Sequence, residues 1–174
     1  MNAVENFRQV LLEEFSGLEQ YVQKSALLAE KHKATDFTPF FIRNALFTTI
    51  WSFSEFSLRR YCEILTEDNH GLAKRVRKLN RIYQFHEFLK NDLQFELGHV
   101  QGEWEKLELY KGVRNCLVHH PTKVKDVHPR TYEFIKNDAR ILFEEPDFFR
   151  IVEVSLVFDL LDVSKKYLLG IMLR

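Results

Sequence analysis

Apolar residues recur at steps of three and four over four long stretches of this chain, a spacing that a set of amphipathic helices satisfies by burying one stripe each. Val4, Phe7, Val10, Leu11, Phe15, Leu18, Tyr21 and Val22 predict a first helix to about Lys31. Thr38 and Pro39 suit an N-cap and a first helical position, and Phe41, Ala45, Phe47, Ile50, Phe53 and Phe56 carry a second helix to about Leu65. Asp68 to Gly71 reads as a turn. A third helical region follows from about Leu72 to Leu97, with a break near Asn80. Gly98 and Gly102 mark the link to a fourth helix, from about Glu103 through His119, which Pro121 ends.

The polar stretch from Thr122 to Arg130 predicts a surface loop, Tyr132 to Asp138 a short helical turn, and Ala139 to Phe143 a brief extended piece. Pro146 is expected to open a strongly apolar last helix to about Met172. Four main helices of roughly 20 residues, joined by shorter links, predict an all-α fold: an antiparallel helical bundle with short extra helical segments. It is expected to be one domain over residues 1–174. With 45% hydrophobic residues, 16 of them phenylalanine, such a chain can fill a core without disulfides or metal.

Charge narrows the functional classes. Lysine plus arginine and aspartate plus glutamate both number 25, so no overall field draws in nucleic acid and any such contact needs a local patch. Cys62 and Cys116 follow no metal-type spacing and are expected to be free buried thiols in a reducing compartment, the cytoplasm. No long uncharged apolar run or signal-peptide pattern occurs, so neither a membrane nor a secretory route is expected. His86 and His99 are far apart in register, and His119, His120 and His128 lack zinc-site spacing, so no metal is expected. With no phosphate-binding loop, dinucleotide fingerprint or serine-hydrolase elbow, no cofactor is expected either.

The chemistry-bearing residues gather in Lys111-Gly112-Val113-Arg114-Asn115-Cys116-Leu117-Val118-His119-His120-Pro121. An arginine, an amide and an imidazole within six residues offer a phosphate clamp, a polar orienter and a proton exchanger near neutral pH, a combination suited to phosphodiester cleavage. On a regular helix Arg114 and His119 stand roughly 140° apart, whereas Asn115 and His119 share a face. Joint action of Arg114 and His119 therefore requires a frayed final turn, which Pro121 favours, or completion of the site across a dimer. The negative end of the helix dipole raises the pKa of a histidine placed there, which suits a general acid. The plain alternative is a surface ion-pairing arginine, a polar helix end and a C-capping histidine.

Arg114, Asn115 and His119 in an all-helical context resemble the signature of the HEPN family. That signature is an arginine followed by a polar residue, with a histidine after four to six intervening residues. The resemblance covers most of the chain. It implies a homodimer with both motifs lining one cleft, and metal-independent RNA cleavage by attack of the ribose 2′-hydroxyl on the adjacent phosphate. In that scheme His119 moves a proton, Arg114 neutralises phosphoryl charge and Asn115 orients the phosphate or imidazole, with His120 as a reserve. It further suggests a toxin or defence effector restrained by an antitoxin or other regulatory protein.

Glu55, among aromatics midway along the second helix, is expected to accept a bidentate bond from Arg114, as an acidic residue there does in similar domains. The alternative is an exposed or locally paired glutamate. Lys74, Arg75, Arg77 and Lys78 form, with Arg81, the densest basic run and a candidate RNA-backbone contact, the alternative being a solvated helix face. Lys123, Lys125 and Arg130 lie close after the motif in sequence and are further RNA-contact candidates. A non-catalytic nucleotide- or protein-binding module and a plain helical scaffold are the competing classes.

Overall fold

The structure, a computed structural model, describes residues 2–31, 38–119, 127–144 and 148–173. Asn2 starts the first helix, α1 (Ala3–Lys31), by accepting the Glu5 N–H on its side-chain oxygen at 2.8 Å. In α2 (Thr38–Leu65) Pro39 falls in the first turn, where a missing N–H leaves no bond unmade. Just past its end the Thr66 hydroxyl bonds back to the Cys62 carbonyl at 2.9 Å. Both helices have the bounds that the apolar spacing predicts.

The third helical region is broken at Asn80 as expected, and broken further than expected. Asn69 caps α3 (His70–Val76) by accepting the Leu72 N–H at 3.1 Å. After the break, α4 (Ile82–Glu87) runs into a π-turn at Phe88–Asp92. Gln94 follows in left-handed backbone, with φ 54°, and a 3₁₀ turn at Gly98–Val100 leads into α5 (Gln101–His119). In α6 (Pro129–Asn137) the His128 ring accepts the Arg130 N–H at 3.3 Å, so the last two residues of the expected loop are already helical.

The chain then makes an antiparallel hairpin, β1 (Ile141–Glu144) with β2 (Phe148–Ile151), in which Ile141 faces Ile151 and Phe143 faces Phe149. The last helix, α7 (Ser155–Gly170), therefore does not open at Pro146, which itself lies outside the described residues. Phe149 and Ile151 are buried from extended backbone, and a helix there could not pair with β1.

Long-range contacts set the helix directions. Arg43 Nε donates to the Ile151 carbonyl at 2.7 Å and the Tyr61 hydroxyl to the Ile171 carbonyl at 3.2 Å, so α2 and α7 run the same way. Trp104 meets Tyr167 while Tyr110 meets Asp159, so α5 runs against α7. Phe15 packs edge-on to Phe53 at 5.1 Å across α1 and α2, which a short link makes antiparallel. The four long helices thus alternate in direction, with α2 and α7 side by side. Leu11, Phe15, Phe47, Ile50, Leu107, Val113, Leu160 and Tyr167 meet in the core, each contributing on the order of 2 kcal/mol from buried apolar surface. The fold is mostly helical with one small hairpin. Among the described residues no helix is long and apolar enough to cross a membrane.

Candidate functional site

The helix that carries the motif is held on three flanks. Towards α7, the Tyr110 hydroxyl donates to Asp159 Oδ2 at 2.6 Å. Arg140 donates to the same oxygen at 3.0 Å and grips Asp138 at 2.9 and 2.7 Å. Burial opposes the charge on Asp159, but the bonds from Tyr110 and Arg140 outweigh it and hold the carboxyl below the usual range. The Asp138 carboxyl is lowered chiefly by its bond from Arg140. Towards α6, a Cβ on Gly112 would overlap the Thr131 side chain, so a bare glycine lets the two helices touch.

Towards α4, the buried His86 ring stacks on Trp104 with centroids 3.8 Å apart and 6° between planes. The fully buried Tyr167 hydroxyl and His86 Nδ1 share a hydrogen bond of 2.8 Å. Burial pushes the His86 pKa down to about 4. His86 also lines a cleft of about 370 Å³ together with Lys90, Gln94, Phe95 and Gln101.

Arg114 stands four residues beyond Tyr110, whose ring meets Phe47 of α2 at 5.8 Å. It stands three beyond Lys111, whose ammonium lies 5.5 Å from the centre of the Tyr83 ring of α4. Both rows continue into Arg114, so it leaves α5 on the flank between α2 and α4, one turn nearer the helix end. It is half-buried, and its Nη1 donates to Oδ1 of the exposed Asn115 at 3.1 Å. Arginine and amide are therefore joined, and Lys111, which also lies 3.9 Å from Glu108 Oε1, adds a second cation on the same flank. That set favours an anion such as phosphate.

The backbone of α5 is helical through His119, so the frayed final turn is not how this helix ends. The Cα positions of Arg114 and His119 stand on different flanks, roughly 140° apart. The His119 side chain, His120, Lys123 and Lys125 lie outside the described residues.

Glu55 has a different partner from the one expected. Its Oε1 accepts the Ile82 N–H at 2.9 Å and so satisfies an open donor at the start of α4. The carboxylate fixes α4 against α2 in place of clamping Arg114. Arg75 pairs with Asp92, the last residue of the π-turn, and Lys74, Arg77 and Lys78 are exposed. The run begins at the far end of α2, where Arg77 shares a cleft with Arg60 and Glu63, and leads into α4. Only its trailing end approaches Lys111. Arg130 faces Glu105 at 3.8 Å, about 13 Å back along α5 from Arg114. This corrects its expected reach towards the motif.

Sequence reasoning missed Lys111, the Tyr110–Asp159–Arg140–Asp138 network and the His86–Tyr167 pair. An aspartate inside the strongly apolar last helix was the available signal for the network. Cys62 and Cys116 are free and buried, as expected, and burial pushes their thiols up to about 12 and about 11. Among the described residues no three potential ligands gather as a metal site would need. No family model, curated protein or solved structure matches the chain.

Proposed function

We propose that this protein is a metal-independent endoribonuclease of HEPN type that acts as a homodimer. The observation that carries the reading is the Arg114–Asn115 bond on the flank that also bears Lys111, a fixed cation and amide beside a second cation at a helix end that also holds His119. Arg114 and Lys111 neutralise the phosphoryl oxygens, Asn115 orients the phosphate, and the His119 imidazole exchanges the proton of the attacking 2′-hydroxyl or the leaving 5′-oxygen. With the helix regular through His119, the complementary Arg114 and His119 come from two copies of the chain. A toxin or defence role, with a protein that restrains the activity, belongs to the same reading by family resemblance.

The test is total RNA in EDTA with wild type and the Arg114→Ala/His119→Ala variant, followed by analysis of fragment ends. Cleavage by wild type alone, leaving 2′,3′-cyclic phosphates, is expected. Intact RNA with a folded dimeric protein overturns the reading.

A second reading, a non-catalytic nucleotide- or protein-binding module, is favoured by the angular separation of Arg114 and His119 within one chain. Intact RNA together with nucleotide binding that Arg114→Ala removes selects it.

A further inference from the structure

On α2 the residues most open to solvent between its first turn and Phe56 are Phe41, Ala45, Thr49, Ser52 and Phe56, and none is charged. A solvent-facing helix normally carries charge along such a row. Here the two ends are phenylalanines, each 64% exposed, with small residues between them. On α1, Val10, Tyr21 and Leu28 are also exposed and lie within about 20° of one another around the helix. Glu19, which reaches Lys165 of α7, lies about 180° around α1 from Val10, so this row opens away from α7 and beside the outer face of α2.

The outer face of α2 is nearly symmetric end for end, with the half-buried Thr48 at its edge taking part. About a point between Thr48 and Thr49, Phe41 exchanges with Phe56, Ala45 with Ser52, and Thr48 with Thr49. A two-fold axis through that point would lay α2 antiparallel on its own copy, phenylalanine on phenylalanine at each end and small residues at the crossing. This is the self-complementarity that an isologous contact requires. The small centre lets two helix backbones approach closely. With the α1 row, which the exposed Glu14 and Lys24 flank at about 40° on either side, one protomer offers on the order of 600 Å² of surface, apolar at its centre, against about 800 Å² per partner in an ordinary stable interface.

We propose that the outer face of α2 docks a second copy of this chain about a two-fold axis beside Thr48 and Thr49. Such an axis reverses α2 end for end and keeps its flanks on the same side. The α4 and α5 flanks of both copies, with Lys111 and Arg114, then border one cleft. That consequence rests on the ribonuclease reading, whereas the interface rests on the surface alone.

The experiment is sedimentation at micromolar concentration without RNA, with circular dichroism as the control for folding. Wild type is expected to be a dimer, and Phe41→Lys or Phe56→Lys to weaken dimerisation on the order of 100-fold. The register makes a sharper demand. Phe41→Lys/Phe56→Glu sets each lysine against the partner's glutamate and restores the dimer, while Phe41→Lys/Phe56→Lys does not. Thr49→Cys should oxidise to a covalent dimer, since the two native cysteines are buried. A monomeric wild type, a dimer indifferent to the single variants, or Thr49→Cys that stays uncrosslinked overturns the interface. Inactive but crosslinkable protein would sink only the ribonuclease reading.

Discussion

Gly112 shows how much one missing atom decides. Its Cα stands where Thr131 of α6 presses onto α5, and any Cβ overlaps that side chain. Gly112→Ala should cost about 1–3 kcal/mol through overpacking, despite the better helix propensity of alanine. Thr131→Ala in the same chain should recover most of the loss, which urea melts of the single and double variants will measure. His86 makes a second prediction at this scale. Its folded pKa of about 4 lies below the ordinary 6.5, so the native ring stays neutral while the unfolded ring charges. Its contribution is fully present above pH 6.5 and is lost as the pH falls from 6.5 to about 4, on the order of 3 kcal/mol in all. Melts across that window should show the slope, and His86→Phe should flatten it. An unchanged slope in that variant would assign the effect to other groups.

At the scale of elements, α4 is short, and its start is held by one carboxylate distant in sequence and one side chain of its own. Glu55 takes the Ile82 N–H, and the Gln84 side chain takes the N–H groups of Asn80 and Arg81 at 3.0 and 3.1 Å. Glu55→Ala should lower stability by about 1 kcal/mol and speed hydrogen exchange at Ile82 while leaving α1 unaffected. The same dependence explains what could be read in advance. The bounds of α1 and α2 follow from spacing and a proline, both local. The break at Asn80 is visible in the sequence, whereas the π-turn, whose Phe88 and Leu89 are buried in the core, leaves no local mark. Phe148 to Ile151 looked like the start of the last helix because a short apolar run carries no period of its own. Its strand character comes from pairing with Ile141 to Glu144. The aromatic surroundings of Glu55 in the sequence mark it as a carboxylate in need of a partner. The identity of that partner is not legible, because a backbone N–H 27 positions away leaves no mark in the composition.

For the whole molecule, the proposed activity belongs to a pair of chains. Specific activity against RNA should fall as the protein is diluted through its dissociation constant and should recover on concentration. Activity per chain that is independent of dilution, while sedimentation shows monomers, would place the complete site within one chain. Arg114 and Asn115 were legible as a local pattern. The flank they share with Lys111 was not, since it is defined by where α4 comes to rest.

The triple anchoring of α5, by Asp159, Thr131 and the His86–Trp104 stack, fixes the helix from which Arg114 projects. In the proposed reaction the adjustment must then come from the nucleic acid. In-line attack by a 2′-hydroxyl needs a nucleotide that can swing out of its helical stack. Unpaired loops and bulges should be cut, and the same sequence locked in a duplex should survive, which a hairpin substrate and its fully paired counterpart will distinguish.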